Sequence, residues 1–290
     1  MPTILVTGAG GQLGRSLVQQ ATHWPDWQFL FADRLALDID DPQSVEAYFN
    51  THAVDFCINA AGYTAVDRAE QEPQLARAVN VDGPKNLALN CQKHHAAFIQ
   101  ISTDYVYHSR QNTPFEEDDP VTPQSVYAQT KWEGENAALY HCPRTLILRT
   151  SWVYSLFGHN FLTTMLRFGK ERRQLKVVYD QIGTPTFAGD LADVLYTLVD
   201  AIQSGSVPAD SWTGIFNYSP EGVTSWYDFA LAIFELAGNP VEVIPIRSAD
   251  YPSAAVRPPF SLMSKEKIKS VFQLSIPHWK DSLRRCLDKK

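Results

Sequence analysis

The sequence predicts an α/β fold, in which a doubly wound parallel sheet carries a smaller C-terminal lobe. Short apolar runs alternate with segments of helical periodicity over the first 150 residues, which is typical of parallel strands joined by crossover helices. A glycine-rich turn directly follows the first apolar run. Beyond Thr150 the pattern becomes irregular. We therefore expect a core over residues 1–150 with further core elements at about 175–220, and a substrate-binding lobe over about 151–174 and 221–290.

Five apolar runs have the length and the β-branched or aromatic composition of buried strands. They are residues 3–7, 28–32, 55–59, 98–102 and 145–149. Helices are predicted over 13–21, from about Pro42, over 67–95 with a break at Pro73, over 125–140, 160–170, 190–202 and 225–237, and near 264–271 and 279–287. The polar stretches 108–124 and 180–186 are predicted to be loops.

The turn after the first strand has the features of a dinucleotide site. Glycines let the backbone approach a pyrophosphate, and the helix that follows supplies amide donors and positive potential. The residues concerned are Gly8, Gly10, Gly11, Gln12, Leu13 and Gly14. A tight turn without a ligand is the alternative, but the flanking strand and helix favour the cofactor site of a Rossmann fold.

The end of the second strand gives a divided signal on the coenzyme. Asp33 lies where a carboxylate would bind the free 2′-hydroxyl of NAD, whereas Arg34 would hold the 2′-phosphate of NADP. We therefore expect NADPH or NADH without choosing between them. Asp38 and Ile39 would flank the adenine ring, although Asp38 would equally serve as the cap of the helix that begins near Pro42.

Two further strand ends should contribute to the same crevice, because ligands of open α/β sheets bind beyond the carboxyl ends of the strands. Ala60, Ala61 and Gly62 follow the third strand, and their small size would let a cofactor lie across it. Thr103 and Asp104 follow the fourth strand. The glycine turn and Thr103 are therefore predicted to converge.

Tyr127 and Lys131 complete a carbonyl-reducing arrangement with Thr103. Residues four apart on a helix share one face, so both side chains can enter one pocket. An ammonium beside a phenol stabilises the phenolate, and we expect Lys131 to lower the pKa of Tyr127 toward the range useful for acid catalysis. Thr103 would hold the substrate oxygen. An isolated pair at this spacing is usually an ordinary surface pair, so the surrounding motifs decide.

The bulk composition excludes several classes of protein. The net charge of −7 over 290 residues argues against a nucleic-acid partner. The four cysteines are scattered, without a Cys-x-x-Cys pair or a histidine cluster at metal-ligand spacing, so no metal site is expected. No basic leader opens the sequence and no apolar run approaches the roughly 20 residues of a membrane span, so we expect a cytoplasmic protein without a membrane partner.

These motifs occur in the order found in the extended short-chain dehydrogenase/reductase family, which the sequence resembles. Within that family the similarity is closer to reductases of dTDP-linked 4-keto-6-deoxy sugars. The stretches that carry it span almost the whole chain and are residues 11–14, 63–70, 102–107, 149–154, 180–186 and 257–262.

The resemblance implies hydride transfer from NADPH or NADH to C4 of a dTDP-linked keto-sugar, dTDP-4-dehydro-L-rhamnose, with Tyr127 as the proton donor. Lys131 would also bind the nicotinamide ribose, and Thr103, Asp104 and Trp152 would contact the sugar. Arg257 is the candidate ligand of the nucleotide diphosphate, since a planar guanidinium suits bidentate phosphate binding. Exposure to solvent is the commoner fate of such an arginine.

The sequence departs from the family pattern at two places. Ala128 replaces the glycine that usually follows the catalytic tyrosine. Some relatives form a metal-bridged dimer through an acidic residue in the first helix, where this chain has Arg15 and Ser16. We therefore expect no such metal, and either a monomer or a homodimer.

Two other functions are compatible with the same fold. The first is a nucleotide-sugar epimerase or 4,6-dehydratase, but a dehydratase needs an acidic pair after the threonine, and Asp104 is followed by Tyr105. The second is a non-catalytic subunit, like the reductase-like regulatory subunit of methionine adenosyltransferase. Retention of Thr103, Tyr127 and Lys131 favours catalysis over this second alternative.

Overall fold

The computed structural model describes residues 1–288 and contains twelve strands within that range. The strands are β1 (Thr3–Thr7), β2 (Gln28–Ala32), β3 (Phe56–Asn59), β4 (Ala97–Thr103), β5 (Thr145–Thr150), β6 (Val153–Tyr154), β7 (Gln174–Val178), β8 (Ile182–Gly183), β9 (Thr186–Phe187), β10 (Gly214–Tyr218), β11 (Thr224–Ser225) and β12 (Glu242–Ile246). The five predicted strands are confirmed to within one residue at each end.

Eleven α-helices lie in the same described range. They are α1 (Gln12–Gln20), α2 (Pro42–Thr51), α3 (Val66–Ala69), α4 (Pro73–Arg77), α5 (Gly83–Lys93), α6 (Val126–His141), α7 (Phe161–Glu171), α8 (Ala188–Gln203), α9 (Trp226–Ala237), α10 (Glu266–Phe272) and α11 (Trp279–Asp288). The predicted helices are confirmed to within two residues at each end, except that residues 67–95 form three helices joined in part by a π-helical turn at Ala78–Asp82. None of the described helices is long and apolar enough to cross a bilayer.

Six of the strands form the central parallel sheet, in the order β10-β5-β4-β3-β1-β2. Successive side chains of a strand point to opposite faces, and both faces are covered by helices. Ile4 and Val6 pack with α1 and α8 on one face, whereas Leu5 packs with α2 and α5 on the other. The sheet is therefore doubly wound, as predicted, and its strand order reverses between β1 and β3.

A second apolar cluster lies outside the central sheet and forms the core of the lobe. It combines α7, α9 and α11 with the parallel pair β7 and β12. Strand β10 pairs with β5 in the central sheet, and helix α8 packs against that sheet. Both lie in the stretch of about 175–220 for which further core elements are predicted. Strand β7, at the start of the 175–220 stretch, instead pairs in the lobe. The division into two domains stays a prediction, and its last two residues, 289–290, lie outside the described range.

The start of α2 corrects one of the two roles considered for Asp38. Asp41 is the N-cap of that helix, and its side chain accepts a hydrogen bond from the backbone N–H of Gln43 at 3.0 Å. Pro42 follows at the first helical position, where its missing N–H has no cost. The capping role suggested for Asp38 is therefore wrong, because Asp38 lies too far ahead of the first turn.

Candidate active site

The glycine turn lies directly against the end of the third strand. Gly8 has φ of +67°, in the left-handed region that favours glycine, and a Cβ there would lie 2.6 Å from the Ala61 nitrogen. A Cβ at Gly14 would lie 2.2 Å from the Gly8 oxygen. Helix α1 begins after Gly11 without a side-chain cap, so its first amides keep their capacity to bind an anion. This cradle fits the pyrophosphate of a dinucleotide.

Two side chains of the same turn do not face that cradle. Leu13 is buried in the apolar core beneath the sheet. The amide of Gln12 turns toward the lobe, where its Nε2 donates to the backbone oxygen of Val153 at 3.1 Å. Only the main chain of Gln12 is therefore placed to meet a pyrophosphate, although the sequence motif does not distinguish main chain from side chain.

The end of β2 forms a small network of charged groups where the coenzyme ribose is expected. The Asp33 carboxylate accepts from the backbone N–H groups of Leu35 and Ala36, at 3.0 and 3.1 Å. Arg34 reaches Asp38 at 3.4 Å and Asp40 at 3.5 Å. A hydrogen bond between the two carboxyl groups lowers the pKa of Asp38 and raises that of Asp40.

The position of this network leaves both ribose candidates in place. Asp33 and Arg34 are exposed at the carboxyl end of the strand, so the divided coenzyme signal stays a prediction. Ile39 is buried against Gly83, where a Cβ would lie 2.7 Å from the Ile39 Cδ1. Ile39 therefore packs beneath the expected adenosine site.

The three predicted catalytic residues come together at the carboxyl end of β4. Thr103 is buried and its Oγ1 donates to Asp104 Oδ1 at 3.2 Å. Tyr127 and Lys131 enter from the first turns of α6 and are 9% and 6% exposed. Ser125 caps that helix, its Oγ accepting from the Ala128 N–H at 3.2 Å, which fixes the direction in which Tyr127 projects.

The pKa of Tyr127 is perturbed in the direction opposite to the one expected. Burial raises it to about 12, a hydrogen bond between the Thr103 and Tyr127 side chains opposes that rise, and the nearby Asp104 carboxylate adds to it. Lys131 does not offset the effect of burial, because its Nζ donates to the backbone oxygen of Ile101 at 2.6 Å. The predicted lowering of the Tyr127 pKa is therefore wrong for this structure.

Burial also changes the two charged groups beside the phenol. It lowers the pKa of Lys131 to about 8, although the carboxylate of Glu135 opposes this change. It raises the pKa of Asp104 to about 7, against hydrogen bonds from the Ser261 and Thr103 side chains. The site therefore holds two groups that titrate near neutral pH, next to a phenol that keeps its proton.

Asn80 ties the third strand end to α6. Its Oδ1 accepts from the Tyr63 N–H at 2.8 Å, and its Nδ2 donates to Thr130 Oγ1 at 3.2 Å. The π-helical turn places Asn80 there, and such turns are frequent at functional sites. A Cβ at Gly62 would lie 3.9 Å from Lys131 Nζ, so this strand end adjoins the lysine. Helical periodicity contains no signal for a π turn.

A chain of buried amides leads to the same lysine from beneath the sheet. Thr7 Oγ1 donates to Asn59 Oδ1 at 2.5 Å, and Asn59 Nδ2 donates to Gln100 Oε1 at 2.7 Å. Gln100 Nε2 then donates to the Ile101 oxygen at 2.7 Å, which is the acceptor that Lys131 also uses. The sequence motifs do not predict this chain of hydrogen bonds, and its only signal is a polar side chain within each otherwise apolar strand.

A cavity of about 770 Å³ opens in the lobe and extends to Tyr105, next to the catalytic residues. Tyr105 lines it and lies edge-on to Tyr127, with 5.6 Å between the ring centroids. The charged side chains that line it are Arg172, Lys176 and Arg257, and no carboxylate lines it among the described residues. The cavity is thus suited to an anionic ligand with an apolar part.

Arg257 and Trp152, the two predicted substrate contacts from the distal part of the chain, have different surroundings. The Arg257 guanidinium lines the cavity and pairs with Asp67, 2.6 Å from Nη2 to Oδ2. Trp152 has φ of +47° and stacks on Trp226 at 3.7 Å, and Trp226 itself lines the cavity. Trp152 therefore supports one wall of the cavity through its neighbour.

The fold and these side chains define an oxidoreductase class. A doubly wound sheet with a pyrophosphate cradle places a hydroxyl, a phenol and an ammonium at the carboxyl end of one strand, as carbonyl reduction requires. Comparison with known proteins identifies the family: residues 2–290 match the family described as the RmlD substrate binding domain, and the chain belongs to it.

Characterised relatives and solved structures resemble the chain over its whole length. It is 40% identical to the dTDP-4-dehydrorhamnose reductase of Aggregatibacter actinomycetemcomitans, over 98% of each chain. The crystal structure of such a reductase from Clostridium acetobutylicum is 39% identical, with a TM-score of 0.92 and 99% of each chain covered. That of the Bacillus anthracis reductase, in complex with NADP, is 32% identical, with a TM-score of 0.94 over 100% of each chain.

Proposed function

We propose that the protein is an NAD(P)H-dependent reductase of the C4 keto group of dTDP-4-dehydro-L-rhamnose, giving dTDP-L-rhamnose. The observation that carries the proposal is the meeting of Thr103, Tyr127 and Lys131 at the end of β4, beside a cavity with a cationic lining that Tyr105 connects to Tyr127. Relatives that match the whole chain are named for this activity, and one of them is solved with NADP.

In this mechanism the bound dihydronicotinamide supplies the hydride, and the residues of the chain manage the oxygen that becomes an alkoxide. Thr103 donates to that oxygen, which requires its hydroxyl proton to leave Asp104 Oδ1, and holds the carbonyl group in line with Tyr127. Because burial keeps the phenol protonated, the Tyr127 O–H bond breaks only when the much more basic alkoxide forms, and the proton then passes to that oxygen. The ammonium of Lys131 stabilises the resulting phenolate.

The coenzyme would be held by the main chain of the glycine turn and by the strand end next to it. The close approach of Gly8 to Ala61 leaves the backbone of 8–14 and of 60–62 facing the same crevice. Asp33, Arg34, Asp38 and Ile39 would bind the adenosine part. Lys131 would reach the nicotinamide ribose, which requires its Nζ to share or leave the Ile101 oxygen.

The substrate would lie between the catalytic residues and the lobe. The deoxy sugar would contact Thr103 and Asp104, with Trp152 behind Trp226, and the diphosphate would meet Arg257 in the cavity. Asp67 accepts from both Nη1 and Nη2 of Arg257 and so orients the guanidinium, and a diphosphate would have to share or replace this pairing. The assignment of residues 151–174 and 221–290 to a substrate-binding lobe belongs to the same proposal.

Three aspects of the protein beyond its chemistry are proposed with it. We infer a cytoplasmic location, no nucleic-acid partner, and a monomer or homodimer assembled without a bridging metal. Arg15, at the position where some relatives bind a metal, lies 4.3 Å over the ring of Phe157. Light scattering during titration with Mg²⁺ tests the last inference, and a dimer that forms only with Mg²⁺ would contradict it.

Coenzyme oxidation tests the activity itself. The purified protein is supplied with dTDP-4-keto-6-deoxyglucose, a 3,5-epimerase and either NADPH or NADH, with Tyr127→Phe as control. Turnover that needs the epimerase and is lost in the variant is expected, and the two rates give the coenzyme preference. Coenzyme binding without turnover would contradict the proposal and favour the regulatory-subunit alternative.

A further inference from the structure

Gln12 joins two parts of the molecule that bind different ligands. Its main chain belongs to the first turn of α1, at the pyrophosphate cradle, while its side chain crosses to the lobe. There Nε2 donates to the Val153 oxygen at 3.1 Å, and Oε1 accepts from Asn160 Nδ2 at 3.3 Å. Both the Nε2 and the Oε1 of Gln12 therefore bond to residues that lie more than 140 positions away in sequence.

Asn160 transmits this contact to the cavity wall. It is the N-cap of α7, its Oδ1 accepting from the Thr163 N–H at 3.1 Å within a complete capping box. The same Asn160 Nδ2 that meets Gln12 also donates to the Ser155 oxygen at 2.9 Å and closes the loop 155–160. Asn160 and four residues of α7, namely Phe161, Thr164, Met165 and Phe168, line the cavity.

A second contact from the same face of α1 reaches the same loop. The Arg15 guanidinium lies 4.3 Å over the ring of Phe157, a distance at which a cation and an aromatic face attract each other. Gln12 and Arg15 are one helical turn apart, so α1 holds the loop 155–160 at two points. A shift of the start of α7 would therefore disturb Gln12, the first residue of α1.

We propose that Gln12 is a positioning residue that couples coenzyme binding at the glycine turn to nucleotide binding in the lobe cavity. A coenzyme that orders the glycine turn also orders Gln12, Asn160 and the first turn of α7. The nucleotide then binds to a cavity wall that is already ordered. Linkage makes this effect reciprocal between the two ligands. The inference rests on the proposed function, because it takes the cavity ligand to be a nucleotide diphosphate.

Calorimetric binding of dTDP, with and without saturating NADP⁺, tests the coupling in the intact protein. In the wild type we expect NADP⁺ to tighten dTDP binding by about 5-fold or more, the lower end of ordinary coupling. Gln12→Met keeps the length of the side chain and removes its hydrogen bonds with Val153, Asn160 and Ser155. We expect the variant to reduce the coupling factor, by which NADP⁺ tightens dTDP binding, below about 2. The Kd of NADP⁺ alone should change by less than about 3-fold.

Two further variants separate coupling from loss of folding or of a coenzyme ligand. Asn160→Ser keeps a neutral N-cap on α7 but removes the contact with Gln12, and it should lower the coupling factor in the same way. Gln19→Met makes the same chemical change on the exposed face of α1, where the Gln19 side chain has no hydrogen-bond partner among the described residues, and it should leave the factor unchanged.

Each remaining outcome overturns a specific statement. If Gln12→Met retains the wild-type coupling factor, or weakens NADP⁺ binding tenfold with that factor intact, Gln12 is not the coupling residue. If wild-type protein binds dTDP equally well with and without NADP⁺, no coupling exists. If wild-type protein binds no dTDP and reduces no keto-sugar, the proposed function fails, and the inference fails with it.

Discussion

Tyr127 is a buried phenol with a raised pKa, and in the proposed reaction it keeps its proton until the substrate oxygen becomes an alkoxide. Phenylalanine at this position preserves the edge-on packing against Tyr105 and removes only the hydroxyl. Because a positioned general acid contributes about 10²- to 10⁴-fold to rate, Tyr127→Phe should lower kcat by that amount with little change in coenzyme affinity. Steady-state kinetics and coenzyme titration measure the two effects.

Tyr140 provides the matched control, because it lies on the same helix and is 83% exposed. Tyr140→Phe should have wild-type kinetics. Wild-type kcat in Tyr127→Phe would remove Tyr127 from the mechanism, whereas an equal loss in both variants would trace the effect to α6 as a whole.

Asp104 makes the stability of the protein depend on pH. Its folded-state pKa of about 7 lies above the ordinary aspartate value, because the carboxyl is buried. The folded protein therefore retains a proton that the unfolded chain has released, and stability falls as pH rises from about 4 to about 7. At about 1.4 kcal/mol per pKa unit, the cost at pH 8 approaches about 4 kcal/mol.

Asp104→Asn removes this cost, and its Oδ1 still accepts from Thr103. We expect urea unfolding at pH 8 to find the variant more stable than wild type by about 2–4 kcal/mol, and the gap to close near pH 4. Asp118→Asn, at an exposed carboxyl, should show no such gap. A gap that is constant with pH would mean that Asp104 does not change its charge on unfolding in this range.

At the scale of elements, α6 packs unusually closely on the π-helical turn at Ala78–Asp82. A Cβ at Gly134 would lie 2.0 Å from the backbone oxygen of Asn80, so no side chain fits between the two segments. The same turn aims Asn80 at Thr130, one turn of α6 away from Gly134. The π turn and Gly134 therefore pack directly on each other. This contact determines how far Tyr127 and Lys131 extend into the site.

Gly134→Ala separates this packing from helix propensity. In an exposed helix the change stabilises by about 0.5–1 kcal/mol, but here it should destabilise by about 2 kcal/mol or more and raise KM, because α6 must move outward. Thermal and urea unfolding give the first effect, and kinetics give the second. A stabilised variant with wild-type kinetics would show that α6 and the π turn can separate without consequence.

At the scale of the whole molecule, one buried ion pair holds the sheet, α6 and the loop after β4 together. Arg149 on β5 and Glu135 on α6 are each 1% exposed and lie 2.6 Å apart. Arg149 Nη1 also donates to the Tyr107 hydroxyl at 2.7 Å, and that hydroxyl donates to Asn217 on β10 at 3.2 Å. Strand β5, helix α6 and the loop after β4 therefore meet at one guanidinium, and β10 joins them through the Tyr107 hydroxyl.

Arg149→Met leaves the Glu135 carboxylate buried without its partner. This loss should cost about 3–5 kcal/mol in the free energy of unfolding, measured in urea. The double variant Arg149→Met with Glu135→Leu should recover most of it, because neither member of the pair is left buried without the other. If the double variant is no more stable than the single one, the pair serves packing rather than charge compensation.

Local patterns in the sequence were sufficient for five of the six strands of the central sheet, for most helices and for the spacing of Tyr127 and Lys131. Gly8 and Gly14 could be recognised because their roles require a backbone without Cβ, and Tyr127 with Lys131 because i and i+4 share a helix face. Each of these depends on residues close together in the chain. The same holds for Ser125 and Asn160, whose capping roles involve neighbours three residues away.

Tertiary structure alone decided the environment of those residues. The direction of the Tyr127 pKa, the turning of Gln12 to the lobe, the Arg257–Asp67 pair and the amide chain through Gln100 all involve segments far apart in sequence. Burial and long-range hydrogen bonds are properties of the packed chain, because the desolvation of a group depends on every segment that surrounds it. The sequence by itself determined which groups are the candidates for the chemistry, and the fold decided their charge and their partners.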